Sequence, residues 1–167
     1  MGDIYRAAER IMGMSDEVWA RHANPWSVFT RFTVLPLMAL AIWSRVWVGQ
    51  WAWAFLALAL LWNHLNPRIF SPPISLDTWA SRGVLGERIW LNRRSEIRAH
   101  HKTWAVMLTW GSAPGAIILG LGLWWLDAAW TVFGVVLTAL PKLWFVDRLG
   151  WAYQDWLFDH GRELGDV

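Results

Sequence analysis

The sequence predicts an all-α integral membrane bundle of four transmembrane helices, arranged as two helical hairpins and joined by interfacial amphipathic helices. Three observations carry this expectation. Residues 104–126 run for 23 positions without a charge, long enough to cross a hydrocarbon core of ~30 Å at about 1.5 Å per residue. Hydrophobic residues make up 56% of the chain and charged residues only 17%, against roughly 45–50% and about 25% in soluble proteins. Seventeen of the 167 residues are tryptophan, whose apolar body and single N–H donor suit the membrane–water boundary. A chain of this length reads as one transmembrane domain, 1–167.

The N-terminal stretch MGDIYRAAERIMGMSDE carries both charge signs and no apolar run, so no cleavable signal is expected there. Arg6 stands where myristoylation at Gly2 would want Ser or Thr. Asp3 to Met12 and Ser15 to Arg21 read as short amphipathic helices lying on the membrane. The first span is expected over 29–48, with Arg45 snorkelling outward, and the second over 51–66, with Gly49-Gln50 as the turn between them. Residues 67–103 form a basic loop. Seven basic and three acidic residues lie between Pro67 and Lys102, a net +4. Within it, Trp79, Val84, Leu85, Ile89 and Trp90 predict one or two helices resting on the membrane surface. The third span covers 104–126, bent at Pro114-Gly115, with Gly111, Gly115, Gly120 and Gly122 permitting close helix contact. Asp127 makes a tight turn, and the fourth span follows over 128–146. That helix continues past Pro141, with Trp144, Trp151 and Phe158 along one side.

Charge sets the expected orientation. Fourteen of the fifteen Lys/Arg residues lie in the N-terminal segment, the middle loop, the C-terminal segment or the adjoining helix ends, and Arg45 alone is near the opposite face. The positive-inside rule therefore puts both termini and the loop in the cytoplasm. The tryptophans sort the same way. Trp43, Trp47, Trp51, Trp53, Trp124, Trp125 and Trp130 mark one boundary, and nine others, among them Trp19, Trp90 and Trp156, mark the inner one. Flanked by apolar runs, the basic stretch reads as a cytoplasmic loop, not as a nucleic-acid surface.

Several chemistries are excluded or unsupported. With no cysteine there are no disulfides, thiolate metal sites or cysteine nucleophiles. No Gly-x-Ser-x-Gly elbow is present. The segment from Arg82 to Arg88 has two glycines but lacks the lysine and Ser/Thr of a phosphate loop.

Two constellations remain. His-x-Asn-Pro occurs twice, at His22–Pro25 and His64–Pro67, both at the inner face. His22 and His64 with Glu87 or Asp147 would make a two-histidine, one-carboxylate site for iron or zinc. The plainer reading is a helix-capping asparagine followed by a chain-directing proline. The second constellation is charged: Arg31, Glu87, Arg88, Lys142, Asp147 and Arg148 would either clasp the loop onto the bundle or, with Asn66 and Arg68, bind an anionic ligand or headgroup. His100-His101 reads as a solvated pair, because adjacent helical side chains point in different directions. His160 has no context that assigns it a role.

The segments HANPWSVFTR (22–31), NPRIFSPP (66–73), WASRGVLGER (79–88) and KLWFVDR (142–148) together resemble a family of small bacterial and archaeal membrane proteins known only as a domain of unknown function. The resemblance runs from Arg21 to about Asp155, and implies a membrane location and no activity; with the orientation above, the inner membrane of a prokaryote is expected. The chain is also similar in size and tryptophan content to the tryptophan-rich sensory (translocator) proteins. Those have five spans and a Trp/Pro signature matched here only by Pro72-Pro73.

Three functional classes follow. The first is a binding protein that holds an amphipathic small molecule or lipid at the cytoplasmic face. The second is a membrane enzyme using a metal on the His-x-Asn-Pro histidines. The third is a homo-oligomer or an accessory subunit of a larger pigment or redox complex, with His64 as a possible chlorin or haem ligand. The sequence assigns no cofactor and leaves enzymatic activity open.

Overall fold

A computed structural model describes residues 13–166, which are mainly helical, with turns and short extended links between the helices. The helix expected over Asp3 to Met12 lies outside these residues. The elements are α1 (Asp16–His22), α2 (Pro25–Arg31), α3 (Val34–Trp43), α4 (Arg45–Val48), a 3-10 turn at Gly49–Trp51, α5 (Ala52–Ile69), α6 (Trp79–Asn92), a 3-10 turn at Arg94–Glu96, α7 (Ala99–Gly111), α8 (Ala113–Trp125) and α9 (Ala128–His160).

Three stretches are long and apolar enough to cross a membrane: Pro25–Ile69, Ala99–Trp125 and Ala128–His160. The first is not straight. Gly49 takes φ +58°, a left-handed value that glycine adopts readily, and the chain turns back so that α3 packs against α5. The second turn falls at Leu126, also left-handed at φ 56°, after which the Asp127 carboxylate accepts from Trp130 N and caps α9. Both turns lie at one end of the molecule. Arg45 donates there to Leu123 O, at the C-terminus of α8, where a cation favours the helix dipole. Trp43 Nε1 donates to Thr131 Oγ1 at 3.1 Å. Arg45 is thus tied to the neighbouring hairpin instead of reaching outward by itself.

The α8/α9 hairpin closes through small residues. A Cβ on Gly115 would strike the backbone of Leu137 and Thr138, and one on Gly134 would strike Leu119. One on Gly122 would come within 2.5 Å of Thr131 N. Gly111 and Gly120, expected to help, meet nothing closer than 3.6 Å and nothing within 4 Å respectively. The bend expected at Pro114-Gly115 falls at Ser112, within Ala99–Trp125 and between α7 and α8, so Pro114 opens α8 as an N-terminal proline.

The other end holds the main core. Helix α9 has 33 residues, ~50 Å at about 1.5 Å each, so its last third extends well past any ~30 Å apolar slab. Against that extension lies α6, with Val84, Leu85, Ile89 and Trp90 all buried. Gly83 meets Val146, and Gly86 sits on the carbonyl of Leu149. Far from resting on a surface, α6 is a core helix. Helix α1 likewise buries Trp19 and His22 against α5 and α6. The tryptophans expected at the inner boundary therefore divide. Trp19, Trp90 and Trp156 are 6%, 2% and 1% exposed and form the core, whereas Trp26, Trp144 and Trp151 face outward. Trp47, Trp51, Trp53, Trp124 and Trp125, at the turn end, are all exposed.

Candidate functional site

A cavity of about 380 Å³ opens where α1, α2, α6 and α9 converge, on the side of the bundle away from the two turns. Its walls are mostly apolar, and its polar groups are His22, Arg31, Asn63, Glu87, Thr138 and Lys142. The volume falls within the roughly 300–1,000 Å³ of ordinary small-molecule sites.

A buried chain of hydrogen bonds forms the floor behind it. His22 Nδ1 lies 2.8 Å from Ser27 Oγ. Ser27 Oγ donates to Asn66 Oδ1 at 3.1 Å, and Asn66 Nδ2 donates to Thr30 Oγ1 at 2.7 Å, which in turn donates to Trp26 O at 2.6 Å. A serine hydroxyl has one proton, and Ser27 gives its own to Asn66. His22 must therefore donate through Nδ1–H, which leaves Nε2 as an acceptor. Ser27 and Asn66 are fully buried and His22 is 5% exposed. Burial, reinforced by the nearby Arg31 guanidinium, lowers the His22 pKa to about 4. The ring is neutral at physiological pH.

Glu87 and Lys142 pair across the cavity at 3.3 Å. Burial alone would raise the Glu87 pKa, but the surrounding cations, Lys142 foremost, outweigh it and hold the carboxyl below its ordinary value. A quarter (26%) of the Glu87 side chain stays open to the cavity, although the residue is deep in the fold. Arg31 differs from both. Its Nη1 is buried and has no hydrogen-bond partner, an arrangement costly enough that native structures normally avoid it.

The other expected residues lie elsewhere. Arg68 donates to His64 O and to Gly13 O, and its own carbonyl accepts from Arg21. Arg88 pairs with Asp16. Asp147 accepts from Trp79 Nε1 at 2.8 Å, and the Arg148 guanidinium lies 5.2 Å from the Trp104 ring centre. His64 is exposed on α5. The two His-x-Asn-Pro copies are not equivalent: Asn24 caps α2 through Trp26 N, while Asn66 is buried inside α5 and Pro67 lies within the same helix. Among the described residues, His22 and His64 do not come together with a carboxylate. The one group of three such side chains among the described residues with ligand atoms mutually within 4.8 Å is His100, His101 and Asp155, so the adjacent histidines do converge, contrary to expectation.

Ser27, Thr30 and Asn63 escaped the sequence reading. Ser27 and Thr30 are three apart in a proline-opened helix and so share a face, the one signal that pointed to them. A larger opening, about 680 Å³, lies on the opposite face of α9 beside Gly111, Pro114 and Pro141. Trp79 Nε1 donates to Asp147 at its edge, and the rest of its lining is almost wholly apolar.

No curated protein and no solved structure matches this chain. A family model does match, over residues 4–162. The chain belongs to the family of unknown function DUF6653.

Proposed function

We propose that the protein crosses a prokaryotic inner membrane four times, with the α6 end in the cytoplasm, and binds an amphipathic molecule bearing one negative charge in the α1/α2/α6/α9 cavity. The observation that carries this reading is the orphaned Arg31 Nη1 beside the cavity. A buried guanidinium N–H without an acceptor is stabilised by any anionic oxygen that reaches it from the adjoining cavity.

Charge bookkeeping supports a singly charged head. Arg31 and Lys142 contribute two positive charges, Glu87 one negative and neutral His22 none, a net +1 around the cavity. His22 Nε2 offers an acceptor for a hydroxyl of the same head. The apolar wall from Val28, Leu35 and Met38 suits the start of an alkyl chain. The four-crossing reading is supported by the Gly49 reversal, which folds Pro25–Ile69 into two arms, and by the low burial of each apolar stretch. Only 22% of each stretch's most apolar window is buried within the protein, so the remainder needs an apolar solvent.

The test is native mass spectrometry of the full chain from mild detergent with added phosphatidylglycerol or phosphatidylcholine of matched chains, and oleate as a second single-charge probe. Selective retention of the anionic probes, weakened by Arg31→Gln, is expected. Equal retention of phosphatidylglycerol and phosphatidylcholine refutes the reading.

A further inference from the structure

We propose that His100, His101 and Asp155 form a divalent metal site, suited to zinc, between the N-terminus of α7 and the projecting end of α9. His101 Nε2 lies 3.0 Å from Asp155 Oδ2, and His100 Nε2 lies 4.0 Å from the same oxygen. The three ligand atoms are all within 4.8 Å of one another. Zinc bonds of about 2.0–2.2 Å in a tetrahedral shell put neighbouring ligand atoms roughly 3.4 Å apart. The observed spacings straddle that value, and closing the site needs only a small swing of His100, which is 57% exposed.

Two imidazoles and one carboxylate suit a borderline cation and leave a fourth position for water or substrate. His101 is 4% exposed and held by the core, so one ligand is pre-positioned while the other two remain reachable from solvent. The competitor for Asp155 is Arg98, whose Nη1 donates to Oδ2 at 2.8 Å. Arg98 also grips Asp159 through Nε at 2.8 Å and Nη2 at 2.6 Å. It can therefore give up Asp155 to a metal without losing its anchor. None of these residues lines the Arg31 cavity, so the two proposals stand or fall separately.

The measurement is equilibrium dialysis of the full chain, purified without a histidine tag, against Zn²⁺ alone. One zinc per chain is expected, with Co²⁺ giving the visible absorption of a four-coordinate site. His100→Ala, at an exposed position where folding is not at risk, should weaken zinc binding at least about tenfold, the scale of losses at metal sites. Asp155→Asn should do the same, and His160→Ala should leave binding unchanged. Absence of bound zinc, or zinc retained undiminished by His100→Ala, overturns the proposal; so does loss of zinc in His160→Ala.

Discussion

Glu87 on α6 and Lys142 on α9 meet at 3.3 Å over the cavity, and Glu87 is the only carboxylate among the described residues that line it. The pair is partly solvated, so its net contribution to folding is about 0–1 kcal/mol. Its larger consequence is for the charge presented to a ligand. Glu87→Gln leaves Lys142 and Arg31 unopposed, and binding of an anionic amphiphile should tighten about three- to tenfold. Lys142→Gln should weaken it by a similar factor, each tenfold step being about 1.4 kcal/mol. Titration of both variants with oleate checks the pair, and a change of the same sign in both defeats the argument.

Acid should destabilise the protein through His22. Its folded pKa of about 4 lies below the ordinary 6.5, so between those values the unfolded chain binds the extra proton and stability falls as pH falls. The full effect is on the order of 3 kcal/mol, reached near pH 4. Glu87 acts in the same direction. Its depressed pKa gives stability that is present above the unfolded value and lost as pH drops through the folded one. Intrinsic fluorescence melts from pH 7.5 to 4.5 should show this fall, and His22→Gln should make it shallower above pH 5, leaving the smaller contribution of His101, whose pKa burial also lowers.

The close approach of α6 to α9 predicts a sharp contrast between two glycines. Gly86→Ala drives a methyl group into the Leu149 carbonyl, which belongs to a rigid helix and has little room to retreat. Overpacking of this kind costs about 1–3 kcal/mol or more. Gly120→Ala meets nothing within 4 Å and lies inside a helix, so it should be neutral or stabilising by up to about 1 kcal/mol. Thermal unfolding in one detergent ranks the two, and an equal effect would contradict the packing described.

The contrast shows which parts of the fold were legible in the sequence. Uncharged runs and their turns at Gly49 and Asp127 are local properties, and both turns were found where expected. The α6–α9 contact is not local. Gly83 and Gly86 face Val146 and Leu149 across more than sixty residues, and within their own segment they resemble a failed phosphate loop. Tryptophan was ambiguous for a different reason. An indole serves equally at a lipid boundary and in a core, so Trp90 and Trp156 could not be told from Trp144 and Trp151 by residue type. At the site, Arg31 and Glu87 were legible as charges beside apolar runs. The His22–Ser27–Asn66 chain behind them depended on which face of α5 turns inward. Of the two His-x-Asn-Pro copies, the capping reading holds at Asn24, while the same letters at Asn66 and Pro67 fall inside a helix.

Sidedness is the last expectation, and the absence of cysteine makes it directly measurable. The turns at Gly49 and Asp127 are tied into one end by Arg45 and by Trp43, so they must emerge together. Arg94 lies in the short turn between α6 and α7, at the other end. Its guanidinium stacks 4.0 Å from the centre of the Trp90 ring. Single cysteines at Gln50 and Asp127 should therefore react with an impermeant maleimide added to intact cells, and Arg94→Cys should react only after the membrane is opened. Fourteen of fifteen Lys/Arg residues favour the α6 end remaining in the cytoplasm. Labelling of Gln50→Cys and Asp127→Cys from opposite sides would mean that the Gly49 arms do not both cross the membrane.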